Sequence, residues 1–140
     1  MKNKILLVGL FCCSLVSTEA QVLLDKNAGK NSFPIVSPAA NVVVCFDGKD
    51  ETVVRKSVTL FADDVRRVTG QDLKTQTSNP GDVSARYAII VGTVGKSAWI
   101  NALVAKKKID TTPITGGWER YMIETVDNPA PGIKKAIVVA

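Results

Sequence analysis

The chain has 140 residues, 18 of them Lys or Arg and 13 of them Asp or Glu, so its formal net charge is +5. This length predicts one domain. Histidine is absent, and two of the three cysteines fall within the first twenty residues. Those counts exclude a transition-metal site and a histidine-based catalytic centre. We therefore predict no metal and no cofactor.

Residues 1–20 have the order of a secretory signal peptide. Two lysines in MKNK precede an uncharged run of 13 residues, ILLVGLFCCSLVS, and Thr18 and Ala20 supply the small residues of a cleavage site. The run is shorter than the about 20 residues that span a bilayer. We predict cleavage after Ala20, export to the periplasm or the exterior, and no membrane attachment afterwards. The alternatives are a buried helix and a lipoprotein, the latter disfavoured by Phe11 before Cys12.

Cleavage would leave Cys45 as the single cysteine, in the apolar run NVVVCF. We predict a buried thiol there and no internal disulfide. Residues 21–40 are predicted to be a leader or linker, because proline and glycine interrupt regular structure. Phe33, Ile35 and Val36 are its candidates for a short edge strand.

A strand and a helix are predicted after the leader. Residues 41–46 form an apolar, β-branched run that is typical of a buried strand. Helical spacing extends over 51–69, with Asp50 as the predicted N-cap and Gly70 as the residue that ends the helix. The apolar positions that predict one buried helix face are Val54, Val58, Phe61, Val65 and Val68.

The second half of the sequence alternates in the same way. Predicted strands cover 72–77, 87–91, 119–126 and 135–140, a helix covers 97–106, and 127–132 is a hairpin connection. Tyr121, Ile123 and Thr125 share one side of their strand. The order β-α-β-β-α-β-β predicts an α/β protein of the α+β sandwich type, a small mostly β-sheet layer covered on one face by two helices. Because the sequence ends in an apolar strand, we expect 41–140 to be a domain truncated at its C-terminal end.

The stretch IIVGTVGKS is similar to a phosphate-binding loop, but its spacing differs. Such a loop needs a glycine five residues before Gly95, so that backbone N–H groups wrap a phosphate, and Ile90 occupies that position. We therefore predict no nucleotide binding. Gly92 and Gly95 then permit a sharp turn, Lys96 lies outside it, and Ser97 caps the following helix.

No catalytic residue is predicted among the acidic groups. Asp63 and Asp64 are neighbours on a helix and diverge by about 100°, so they do not converge on one substrate atom. Asp47, Asp50 and Glu51 lack the spacing of a calcium loop and are explained by a turn and a helix start.

The aromatic and basic side chains include the candidate binding residues. Trp118 and Tyr121 are candidate carbohydrate contacts, because exposed aromatic rings often mark binding surfaces, and Trp99 is the weaker candidate. The run 106–108 contains three lysines after a helix, a favourable place for cations. Without interleaved aromatic residues it predicts no nucleic-acid partner.

Four segments together resemble the N-terminal domain of bacterial glycoside hydrolase family 115, the xylan α-1,2-glucuronidases. They are DDVRRVTGQDL (63–73), YAIIVGTVGKSAWINAL (87–103), GGWERYMIETV (116–126) and KKAIVVA (134–140). The last two are the most specific. Similar accessory domains precede the catalytic barrels of β-hexosaminidases, O-GlcNAcase-like enzymes and family 67 α-glucuronidases. The GGWERY segment favours family 115 over these other families.

The resemblance implies a non-catalytic, helix-backed sheet that is followed by an (α/β)8-type barrel. The barrel would remove glucuronic acid or its 4-O-methyl form from plant xylan, and the catalytic carboxylates would lie beyond Ala140. The expected partners are thus the barrel of the same chain and, through it, xylan. The alternatives are a free-standing secreted carbohydrate-binding module and a domain that binds another protein through an exposed strand edge.

Overall fold

A computed structural model describes residues 29, 32–37 and 40–140 of the chain. The predicted signal peptide and most of the predicted leader lie outside the described residues. Within these ranges, no helix has the length and apolar character needed to cross a bilayer.

The described residues form five strands and two helices in the predicted order. They are β1 (Val42–Phe46), α1 (Thr52–Thr69), β2 (Lys74–Thr77), β3 (Tyr87–Val91), α2 (Ala98–Ala105), β4 (Ile123–Ala130) and β5 (Ile133–Val139). The order β-α-β-β-α-β-β is therefore confirmed, as is Gly70, which ends α1 with a φ of 70°.

The largest boundary difference is in β4, which starts and ends later than the predicted 119–126. The ladder with β5 continues past Asp127 through a register shift before Ala130, and Asn128 has a φ of 49° there. The connection to β5 is consequently shorter than predicted, with Gly132 at a φ of 81° in the turn. A β-bulge of this kind lets a strand absorb residues that do not fit the alternation.

The predicted edge strand at Phe33, Ile35 and Val36 is wrong, since these residues form no strand in the described part of the leader. Pro34 lacks the backbone donor that a ladder needs. Phe33 instead packs edge-on against Tyr87, with ring centroids 5.5 Å apart.

The strands form one mixed sheet in the order β2-β1-β3-β5-β4. The first four strands of this order run parallel, and β4 pairs antiparallel with β5 at the edge. Parallel neighbours require crossover connections, and α1 and α2 lie in those connections, β1 to β2 and β3 to β5. The two crossovers leave the centre of the sheet in opposite directions.

The two helices lie on opposite faces of the sheet, which corrects the prediction that both cover one face. Val44 of β1 packs in one cluster with Val58 of α1, whereas its neighbour Val43 packs in another with Leu103 of α2. Successive strand residues point to opposite faces, so each helix has its own side. The reason is the strand order, because right-handed crossovers in opposite directions place their helices on opposite faces.

The α2 side holds the larger core. Its largest fully buried side chains include Trp99, Ile90, Ile100, Leu103 and Val138. Cys45 is buried in the same cluster, as predicted.

On the α1 side, fewer of the predicted apolar helix positions are buried than the sequence pattern indicates. Val58 and Val65 are buried, but Phe61 is 38% exposed and Val68 is 85% exposed. The prediction that all five apolar positions share a buried face is therefore wrong for Phe61 and Val68, because the sheet under α1 covers only the centre of the stripe.

Candidate functional site

The carboxyl ends of β1 and β3 form the first candidate site. The chain leaves β1 toward one edge of the sheet and β3 toward the other, and ligands of open α/β sheets bind at such a switch point. The loop after β1 carries Asp47, Asp50 and Glu51, and the loop after β3 is the glycine-containing stretch 92–97. The fold thus brings together two motifs that are about 45 residues apart in sequence, and it does so at the place where parallel sheets usually bind ligands.

Asp47 holds the N-terminus of α2. One carboxylate oxygen accepts a hydrogen bond from the backbone N–H of Ala98 at 2.9 Å, and the other accepts from that of Lys49 at 2.8 Å. The Ala98 bond first, and the Lys49 bond second, lower the pKa of Asp47 below its ordinary value. A helix N-terminus attracts anions, and here the chain itself provides one.

The predicted capping roles of Ser97 and Asp50 are wrong. Ser97 stands at the N-cap position of α2 but makes no side-chain cap bond, and its buried hydroxyl has no hydrogen-bond partner among the described residues. Asp50 is 6% exposed and accepts from the backbone N–H groups of Thr93 at 2.8 Å and Glu51 at 2.7 Å. The Asp50 carboxylate, which local spacing assigned to the first turn of α1, therefore accepts hydrogen bonds from the Thr93 and Glu51 amides instead.

Lys96 forms an ion pair with Glu51 across the same two loops. The hydrogen bond and the charge of Glu51 raise the pKa of Lys96. The lysine lies outside the turn, as predicted, and its ammonium group is paired with a carboxylate of the chain.

The two glycines of the second loop act in different ways. Gly95 has a φ of 81°, which a residue with a side chain rarely adopts. A Cβ at Gly92 would collide with the side chain of Ser97 and lie 3.0 Å from Ile100 Cγ1. The turn therefore depends on Gly95, while Gly92 lets α2 approach the end of β3.

The switch point is consequently a structural clamp. Its carboxylates accept backbone hydrogen bonds or pair with Lys96, and in the described part of the chain no group of three acidic or cysteine side chains is placed to hold a metal ion. Burial raises the pKa of Cys45 to about 12, and the nearby Ser78 hydroxyl offsets only part of this effect. A thiol with that pKa is not a nucleophile near neutral pH.

Two shallow depressions lie away from the switch point. One, of about 470 Å³, is lined by Lys106 and residues 128–134, and the other, of about 410 Å³, is lined by residues 107–110 and Glu124. The hydroxyl and backbone N–H of Thr112 lower the pKa of Asp110. Asp110 therefore stays ionised at neutral pH and is not a proton donor there.

The predicted carbohydrate contacts form a second candidate site. Trp118 is 88% exposed and Tyr121 is 73% exposed, on the segment that leads into β4. Trp99 differs, since it is 1% exposed and donates its indole N–H to the Ser78 carbonyl at 2.7 Å. β4 lies two strands from β3 and three strands from β1, about 10 and 14 Å at the usual strand spacing, so the aromatic pair is at the same end of the sheet as the switch point but two strands away from it.

The third candidate site was not predicted from the sequence. On the α1 side of β4 and β5, Ile123, Ile137 and Val139 belong to neither of the two core clusters of the described residues. Ile123 is 53% exposed. We call this surface, together with Thr125, the open face. The alternation of β4 was visible in the sequence, but the side of the sheet to which it corresponds was not.

In comparisons with known proteins, the sequence matches no protein family and no curated protein.

Proposed function

We propose that the chain is the N-terminal, non-catalytic domain of an exported glycoside hydrolase that resembles family 115. The parent enzyme removes α-1,2-linked glucuronic acid or its 4-O-methyl form from xylan. The observation that carries the non-catalytic role is the state of the carboxylates at the switch point. Glycoside hydrolysis needs two carboxyl groups that flank the scissile bond, whereas Asp47 and Asp50 accept backbone hydrogen bonds and Glu51 pairs with Lys96.

The four segments that carry the resemblance coincide with structural elements. They contain the end of α1, β3 with α2, the start of β4, and β5. Residues in helices and strands stabilise the fold of a domain. Their resemblance to family 115 therefore fits a supporting role beside a catalytic barrel. The layering differs from the helix-backed sheet that the resemblance implies, so the proposal depends on the segments and the carboxylates rather than on the layers.

Uronic acid release tests the non-catalytic role. The purified chain, incubated with glucuronoxylan, is expected to release no uronic acid above a protein-free blank. Release of uronic acid above the blank would overturn the proposal. If that release persisted in the D47N and D50N variants, the active site would lie elsewhere in the chain.

The coding sequence after Ala140 tests the parent enzyme. We expect an open reading frame that continues for roughly 250 residues or more, the usual size of an (α/β)8 barrel. A stop codon at that position in an intact genome would contradict the proposed parent enzyme.

Export is tested by mass spectrometry of the secreted protein, whose first residue is expected to be Gln21.

A second candidate function is carbohydrate binding, and the exposure of Trp118 and Tyr121 favours it. Aromatic rings that are accessible on one face stack on sugars. The W118A and Y121A variants are expected to lose retention on insoluble xylan, while F61A, a change of an exposed aromatic residue on α1, retains it. Absence of retention by the unmodified chain, or equal retention by all variants, would remove this function.

A further inference from the structure

Basic side chains from three separate segments meet at the end of the sheet opposite the switch point. α2 crosses from the carboxyl end of β3 to the amino end of β5, so the lysines that follow it, residues 106–108, come to the start of β5. Lys134 and Lys135 belong to that start, and their backbone N–H groups donate to the Arg86 carbonyl at 3.0 and 3.4 Å. We call Arg86, residues 106–108, Lys134 and Lys135 the basic end.

One depression within the basic end has an unbalanced positive charge. It is the depression of about 470 Å³, lined by Lys106 and residues 128–134, and the charged side chains in this described lining are Lys106 and Lys134. The neighbouring depression, lined by residues 107–110 and Glu124, also has two lysines, but two carboxylates balance them. Uncompensated charge of one sign in a concave surface raises the local concentration of ions of the opposite sign. The first depression is therefore the one that attracts anions.

The lysines after α2 are not needed to complete the end of that helix. The backbone N–H groups of Lys107 and Lys108 donate to carbonyl groups in the last turn of α2, each at 2.9 Å, and Lys107 has the left-handed φ of 53° that such helix ends use. The exposed ammonium groups of Lys106, Lys107 and Lys134 form no ion pair or hydrogen bond within the part of the chain that the structure describes. They are therefore available to an external anion.

The rest of the lining suits a sugar ring. Residues 129–133 contribute two proline rings and aliphatic side chains, and Asn128 adds a side-chain amide. The C–H faces of a sugar pack on apolar surfaces, and its hydroxyl groups pair with amides. Bound single-stranded nucleic acids instead stack their bases on aromatic rings, and the described lining contains none. The volume lies within the about 300–1,000 Å³ of small-molecule sites.

We propose that the basic end binds an acidic polysaccharide, with the carboxylate of one sugar unit between Lys106 and Lys134. Arg86 precedes β3, and Lys108 reaches the Asp127 carbonyl of β4 at 3.4 Å, so these two cations lie on either side of β5 and pair with neighbouring sugar units. Lysine is a compact cation on a flexible stem, which suits the successive carboxylates of a polymer. The choice of a polysaccharide over another polyanion depends on the export that the proposed function includes, whereas the charge of the depression does not.

Titration with polygalacturonate tests this site on the full chain. The polymer has a carboxylate on each sugar unit, and its fully methyl-esterified form has the same backbone without the charges. We expect polygalacturonate to bind at least about tenfold more tightly than the ester. A rise in salt from about 50 to about 500 mM is expected to weaken its binding, because salt screens exposed charges.

Matched double variants locate the binding. K106Q/K134Q removes both cations of the depression and is expected to weaken the binding of polygalacturonate by about tenfold or more. K49Q/K56Q changes the net charge equally, but it does so after β1 and in the first half of α1, toward the switch point. It is expected to retain binding within about twofold. All four lysines are exposed, so both variants are expected to keep the far-ultraviolet spectrum of the parent chain.

Four results would overturn the proposal. They are no binding of polygalacturonate, equal binding of the methyl-esterified polymer, equal loss in the two double variants, and equal or tighter binding of duplex DNA.

The W118A variant separates this site from the second candidate function. Trp118 lies toward the other end of the sheet, so W118A is expected to bind polygalacturonate as the parent chain does. A loss confined to W118A would contradict the basic end as the site. Uronic acid release from glucuronoxylan and the reading frame after Ala140 test the parent enzyme independently, so either proposal can fail without the other.

Discussion

The two helices contact the same sheet to different extents. α2 has 8 residues, and its Trp99, Ile100 and Leu103 are each 1% exposed or less. α1 has 18 residues, and its buried residues are Val58 and Val65. α2 packs against β3, in the middle of the sheet, whereas α1 lies beside β1 and the short polar edge strand β2. Helix length therefore says little about how strongly a helix is held, and the extent of apolar sheet beneath it says more.

The helices also differ in how their first turns are fixed. The Asp47 carboxylate reaches α2 from a loop 51 residues away in sequence, and Gly92 lets the helix approach the sheet closely. Among the described residues no side chain caps α1. Four substitutions test whether this contrast has energetic consequences.

The largest expected effect is that of Ile100→Ala on the α2 side. Ile100 is fully buried, so removal of its side chain is expected to lower the free energy of unfolding by roughly 2–5 kcal/mol. Urea unfolding measures it. The matched change Val68→Ala on α1 is expected to cost less than about 0.5 kcal/mol. Equal costs would break the comparison between the helices.

Gly92→Ala tests the close approach of α2. The added methyl group overlaps the Ser97 side chain, and overpacking of this kind is expected to cost roughly 1–3 kcal/mol in urea unfolding. Addition of Ser97→Gly is expected to restore part of the loss, because it removes the atoms that the methyl group meets. A neutral Gly92→Ala would mean that the loop relaxes freely.

Asp47→Asn removes the charged clamp on α2. The variant is expected to lose roughly 0.5–2 kcal/mol at pH 7, the usual value of a helix cap. The folded pKa of Asp47 lies below 3.8, so the unfolded chain binds more protons between the two pKa values. The contribution of Asp47 is complete above the unfolded pKa and is lost as the pH falls through the folded pKa.

Unfolding measured at several pH values between neutral and about 3 is expected to show a weaker acid dependence in Asp47→Asn than in the parent chain. Asp63→Asn, on the exposed surface of α1, serves as the control and is expected to change the free energy of unfolding at pH 7 by less than about 0.5 kcal/mol. Identical profiles for parent and Asp47→Asn would contradict the clamp.

Leu60→Lys has the smallest expected effect. Leu60 is 64% exposed on α1, so its replacement is expected to change the free energy of unfolding by less than about 0.5 kcal/mol. Thermal unfolding measures it. A loss of more than about 1 kcal/mol would show that α1 is packed on more sides than its exposure indicates.

Local patterns predicted the elements well, and the layering poorly. The spacing of Val58 and Val65 identified α1, and the apolar run at Ala88–Ile90 identified β3. Periodicity gives the buried line of a helix relative to its own axis and does not say which face of a sheet receives it. That face follows from strand order and crossover handedness, which involve pairings between distant residues such as Val43 and Ala88.

The candidate sites show the same division. The acidic loop and the glycine loop were each visible, and the spacing of the glycines argued against the phosphate-loop interpretation. Their meeting at the switch point was not predictable, because it requires β1 and β3 to be neighbours. The capping predictions for Asp50 and Ser97 were wrong for a related reason, since local rules do not include the Thr93 amide or the Asp47 carboxylate.

Cys45 is an internal probe for the opening of the sheet. Its sulfur is shielded on β1 and keeps its proton far above neutral pH, so alkylating reagents are expected to reach it only when the sheet comes apart. Mass mapping of the label on Cys45 over time would then report the rate at which molecules open under native conditions, without a dye, an engineered probe or a denaturant.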